Sequence, residues 1–171
     1  MSAGARLFTI GYEKATQAEL IAALRAAGVE RVIDVRAVPN SRKPGFSKNV
    51  LAAGLREAGL DYVHLKALGT PPAGREASRK GRFAEMERIY AEQLETPEAG
   101  AEAAQMIALA QEKPSALLCF ERDPAHCHRT PLREAVPRIG KRSTFTRETR
   151  ELRHSSESWN LFALQQGSRK K

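Results

Sequence analysis

Apolar residues recur along this chain in two periods, and the switches between them lay out its elements. Leu7 to Ile10 is a short apolar, β-favouring run that ends at Gly11-Tyr12. Thr16, with Glu19 three residues on, has capping-box spacing, so a helix follows that carries Leu20, Ile21, Leu24 and Ala27 on one face and stops at Gly28. Val29 to Val35 reads as a second strand, rich in β-branched residues, with Asp34 and Arg36 at its carboxyl end. Helical spacing returns over 47–58 through Val50, Leu51 and Leu55, with Ser47 as cap and Gly59 as stop, and Tyr62 to Leu65 is the third strand. From Lys66 to Arg82 the mixture of Gly, Pro and charge has no period and predicts a long loop. Phe83 to Leu94 is helical by pattern, and Thr96-Pro97-Glu98 opens a helix that runs to about Gln111. Ser115 to Phe120 is an apolar fourth strand, and Thr130-Pro131 begins a last helix.

Strands alternating with helices imply an α/β fold: a three-layer, Rossmann-like domain whose mostly parallel sheet has about four to five strands flanked by helices. Crossovers of one hand then bring the loops after each strand to one edge of the sheet, where open α/β folds bind ligands. Residues 1–136 fit a single domain of this kind, and residues 137–171 form a divergent basic tail in which Pro137 and Gly140 interrupt the helical pattern. A closing edge strand is expected to be missing or irregularly replaced there. The net charge of +8 belongs largely to this tail: residues 1–136 hold 19 Lys/Arg against 17 Asp/Glu, residues 137–171 hold 9 against 3. A near-neutral globular part weakens the case for a polyanion as its partner, although nucleic acid stays open. No run approaches the roughly 20 apolar residues of a membrane span, so no membrane partner and a cytoplasmic location are expected. Two cysteines, Cys119 and Cys127, are too few for a disulfide scaffold.

The segment from Cys119 to Arg129 leaves a buried strand and runs into a helix start, and it carries the densest chemistry. A thiolate at Cys127 would gain from backbone N–H groups and from His126, His128 and Arg129, which makes Cys127 a candidate nucleophile with Glu121 or His128 moving protons. Equally, Cys127 could pack beneath the loop as a small hydrophobe. Cys119, His126, Cys127 and His128 are all metal-ligand types, but adjacent side chains diverge and zinc spacings are absent, so no metal is expected. A second segment, Asp34 to Lys48, holds Arg36, Arg42, Lys43 and Lys48 and leads into a helix start suited to phosphate or carboxylate. Lys43 and Lys48 read as solvated, whereas Arg36 is either a buried partner of Asp34 or a ligand clamp. Tyr12 and Glu13, with His64 and Lys66, fall on the same edge and are scaffold or ligand contacts.

Four stretches in order, Thr9-Ile-Gly-Tyr-Glu13, Asp34-Val-Arg36 with Pro39, Ser41 and Phe46, Tyr62 to Gly69, and Cys119-Phe-Glu followed by Cys127-His-Arg129, resemble the domain of unknown function 488 family over residues 6 to about 135. That resemblance implies a cytoplasmic bacterial or archaeal α/β domain and no established reaction. A fainter likeness to rhodanese and low-molecular-weight phosphatase loops fails on spacing, since those loops place about five residues between Cys and Arg and Cys127 and Arg129 have one between them. Two functions follow. In one, Cys127, His128 and Glu121 carry thiol chemistry on a small anionic substrate held by Arg36, Arg129, Asp34, Tyr12 and Arg42. In the other, the arginines clamp the phosphate of a nucleotide or nucleic acid and the cysteines only shape the loop. The pattern specifies neither a cofactor nor an oligomeric state.

Overall fold

The apolar runs become strands in a computed structural model that describes residues 6–121, 128, 132, 145–152 and 161–166. In chain order these are β1 (Arg6–Gly11), α1 (Gln17–Ala26), β2 (Arg31–Asp34), α2 (Lys48–Glu57), β3 (Asp61–His64), a 3-10 turn (Lys66–Leu68), α3 (Pro72–Arg79), α4 (Phe83–Leu94), α5 (Pro97–Glu112), β4 (Ser115–Cys119), β5 (Phe145–Leu152) and β6 (Leu161–Gln166). The sheet order is β3-β2-β4-β1-β6-β5. β3, β2, β4 and β1 run parallel, with Gly11 opposite Cys119 and Asp34 opposite both Leu118 and His64. β6 pairs antiparallel with β1, and β5 with β6. The parallel α/β architecture is the expected one; of the two outcomes expected for the closing edge, missing or irregularly replaced, the structure has a replacement, two antiparallel strands beside β1 whose mutual register shifts between Thr146 and Arg150. No helix among the described residues is long and apolar enough to cross a membrane.

Strand side chains alternate between faces, so neighbours on one strand feed different cores. Leu7, Ile33 and Leu117 face a cluster built with α3, α4 and α5 around Tyr90, Met106 and Leu132, whereas Phe8, Val32 and Leu118 face a second cluster with Leu20 and Leu24 of α1 and Leu51 and Leu55 of α2. This double burial is why the central strands read as apolar runs rather than as alternating ones. Each fully buried aliphatic chain contributes about 1.5–3 kcal/mol, which fixes the register and with it the strand ends.

Two local features correct or confirm the sequence reading. The Thr16–Glu19 capping box forms, the Thr16 side chain accepting from the Glu19 N–H and Glu19 from the Thr16 N–H. The stretch expected as one long loop instead contains the 3-10 turn and α3. Pro72 sits in the first turn of α3, and Gly74 and Ala77 form a narrow face of small side chains buried against α4, a stripe too weak to show as a hydrophobic period. At the amino edge of the sheet, Arg31 is buried and donates to the Leu109 carbonyl (2.8 Å) while pairing with Glu112 (2.9 Å) and Asp61 (3.5 Å). Lys113 also reaches Asp61 (2.7 Å).

Candidate functional site

At the opposite, carboxyl edge, the ends of β1, β2, β3 and β4 present Tyr12, Asp34 with Arg36, His64, and Cys119 to Glu121. Asp34 is fully buried and its carboxylate is filled: Oδ1 accepts from the Arg36 backbone N–H (3.1 Å) and Nε (2.8 Å), and Oδ2 from Arg36 Nη2 (2.5 Å) and the Tyr62 hydroxyl (2.6 Å). Arg36 then gives Nη1 to the Tyr12 hydroxyl (3.0 Å) and the Phe46 carbonyl (2.8 Å). Of the two readings open for Arg36, the geometry favours the buried pair, because most of its donor fork is spent inside the protein. Burial by itself would lower the Arg36 pKa, but the hydrogen bond and charge of Asp34 outweigh it and move it up, with Tyr12 adding to the rise. Arg36 therefore stays charged and ties the loop after β2 to β1, β2 and the Phe46 backbone.

Burial pushes the Tyr62 pKa above its ordinary 10.0, and the hydrogen bond and charge of Asp34 push the same way against a smaller opposing pull from Arg36. The unfolded chain thus releases this proton at lower pH than the folded one, so stability from Tyr62 is intact below about pH 10 and is lost as pH rises beyond it. Melting temperatures measured from pH 9 to 11 should fall more steeply for the natural protein than for Tyr62→Phe. Parallel slopes would show that this proton is not held by the fold.

The remaining edge residues are positioned with equal economy. The Tyr12 ring stacks on Phe46 (4.3 Å between centroids, 8° between planes), meets Phe120 edge-on (5.4 Å, 83°) and lies under the Arg36 guanidinium. Lys43, expected as a solvated residue, donates to the Tyr12 (3.0 Å) and Glu13 (2.7 Å) carbonyls and closes its loop onto β1, whereas Lys48 is exposed as expected. His64 Nε2 faces the Arg36 carbonyl at 2.8 Å, a scaffold contact.

His128 is buried, and its Nε2 lies 3.1 Å from the Val35 carbonyl, which can only accept; that nitrogen therefore carries the proton. The other ring nitrogen, Nδ1, lies 3.6 Å from Cys119 Sγ. Cys119, which the sequence reading did not single out as the nucleophile, is thus a thiol that meets an imidazole. Its position in β4 places it on the face of Leu117, toward the layer that holds Tyr90, whose ring lies 5.2 Å from that of His128. Cys127 and Arg129, the other half of the expected constellation, lie outside the described residues, as does His126.

A cavity of about 330 Å³ opens at this edge. Its lining includes Tyr12, Arg36, Arg42, Cys119, Glu121 and His128, so five of the expected site residues, Tyr12, Arg36, Arg42, Glu121 and His128, meet there, while Asp34 lies beneath as support. Arg75, Ser78 and Arg79 of α3 complete the wall. Sequence reasoning missed them with the helix itself; their signal was the four-residue spacing of Arg75 and Arg79, which puts both on one helical face. Arg75 Nη1 is steadied by the Thr70 carbonyl (2.8 Å), and Arg79 pairs with Glu76 on the surface.

A parallel α/β domain with a basic, thiol-bearing cavity at the carboxyl edge of its sheet is the class that fold and site define. The family model described as Domain of unknown function DUF488 matches residues 16–136, and the chain belongs to that family. Comparison with curated proteins and with solved structures gives no match.

Proposed function

We propose that this cavity binds a small anionic substrate and that a cysteine thiol in its wall acts on it. The observation that carries the proposal is the Cys119–His128 contact: a thiol 3.6 Å from an imidazole nitrogen whose partner nitrogen is fixed on a backbone carbonyl. The thiol proton passes to Nδ1, giving a thiolate and an imidazolium that keeps its Nε2–H on Val35. Burial opposes a lone thiolate, but this transfer leaves the pair neutral overall, so the desolvation cost is far smaller. Arg42, Arg75 and Arg79 offer the planar donor forks that select carboxylate or phosphate, and Glu121 is the second group able to move a proton.

Cys127, the nucleophile that the sequence favoured, competes with Cys119 for this role. Rates of iodoacetamide alkylation against pH, measured on Cys127→Ser and Cys119→Ser, separate them. For Cys127→Ser we expect a midpoint below about 8.5, the ordinary cysteine value, that moves up when His128→Ala is added. Fast alkylation confined to Cys127 would transfer the role to that residue, and two ordinary thiols would end the thiol reading. The arginines alone favour a second function, binding of a nucleotide or nucleic-acid phosphate without chemistry; affinity that survives Cys119→Ala and Cys127→Ala and falls with salt would identify it.

A further inference from the structure

We infer that the ligand of this cavity is an anion carrying a flat aromatic body of mononucleotide size, its ring lying against Phe120 and Val38 and its charged end reaching Arg75 and Arg79. The inference rests on the anion-binding reading above and narrows it. Among the described residues, three large apolar side chains are exposed, Val38 (52 %), Val50 (52 %) and Phe120 (43 %), and two of them line this one cavity. A single exposed apolar residue carries no message, but Val38 and Phe120 follow different strands, β2 and β4, and converge on a concavity whose other wall is basic.

The aromatic wall is also rigid. Phe120 leans edge-on against Tyr12, and Tyr12 is stacked on Phe46 and hydrogen-bonded by Arg36. Val38 is β-branched and stiff at its first side-chain torsion. A platform already ordered costs little entropy when a ring settles on it. The volume of about 330 Å³ is at the small end of ligand sites and is enough for one ring system with its anion.

Calorimetric titration of the full chain with inorganic phosphate, ribose 5-phosphate and adenosine 5′-monophosphate tests this. Adenosine 5′-monophosphate should bind about ten-fold more tightly than ribose 5-phosphate, a gain of the size that stacking a base on an aromatic side chain gives. Phe120→Ala should erase that gain and leave ribose 5-phosphate affinity unchanged, with Val38→Ser giving a smaller loss of the same kind. Equal affinities for the two probes, or equal losses of both in Phe120→Ala, would overturn the inference while leaving anion binding intact. If none of the three binds, the anion reading itself falls and takes this inference with it.

Discussion

Asp34→Ala should lower the stability of the domain by about 3–5 kcal/mol, read from urea unfolding, because it strands a buried guanidinium. Arg36 is 5 % exposed and draws three of its bonds from Asp34: one from its backbone N–H, one from Nε and one from Nη2. Removing the carboxylate takes from the buried Arg36 its counter-charge and those three bonds, leaving its guanidinium only the Tyr12 hydroxyl and the Phe46 carbonyl, and takes from the Tyr62 hydroxyl its acceptor. Asp34→Leu combined with Arg36→Met removes both charges and should recover much of the loss, since a buried ion pair contributes little net stability against a well-packed apolar pair. A loss for Asp34→Ala near 1 kcal/mol would show that the network is hydrated and that Arg36 is freer than its contacts suggest.

Gly69→Ala should cost about 3 kcal/mol, the upper end for overpacking, and should deform the cavity as well. A Cβ at Gly69 would lie 2.1 Å from the Ala37 nitrogen and 2.5 Å from its Cα, and backbone cannot step aside as a flexible side chain does. Ala37 and Val38 line the cavity, so the variant should lose ligand affinity even where it stays folded. Gly59→Ala is the control: its φ of +78° strains any other residue, but a Cβ there meets open space, and the cost should stay near 1 kcal/mol with the site untouched. Equal melting temperatures for the two variants would contradict the close approach at Gly69.

How much of this was legible in the sequence depends on which physical signal each part leaves. The strands β2 and β4 and the helices α1, α4 and α5 were readable because large apolar side chains recur at their own periods and caps such as Thr16 and Thr96 mark the starts. Helix α3 was not, because Gly74 and Ala77 form its buried face and leave no stripe. The edge that holds the cavity followed from topology alone, and the Asp34–Arg36 pair was visible as two charges at the end of a buried strand. What sequence could not provide was pairing across the fold. The Cys119–His128 contact needs His128 to meet both Cys119 and the Val35 carbonyl, and the Lys43 contact needs its loop to fold back on β1. Both are distances, and no spacing along the chain encodes them.

The Arg31 cluster at the amino edge has a consequence for how such a domain can be altered. There one side chain rivets β2 to the end of α5 and the start of β3, at the pole farthest from the cavity and with no residue shared with it. Coherence of the sheet is therefore secured away from the loops that meet a ligand. The exposed positions of the segments bearing Val38 and Arg42, or Arg75 and Arg79, are therefore the ones open to exchange, provided that Asp34, Arg36, Lys43, Phe46, Gly69 and the buried Gly74 and Ala77 are kept, and a graft at one pole should leave the other in register.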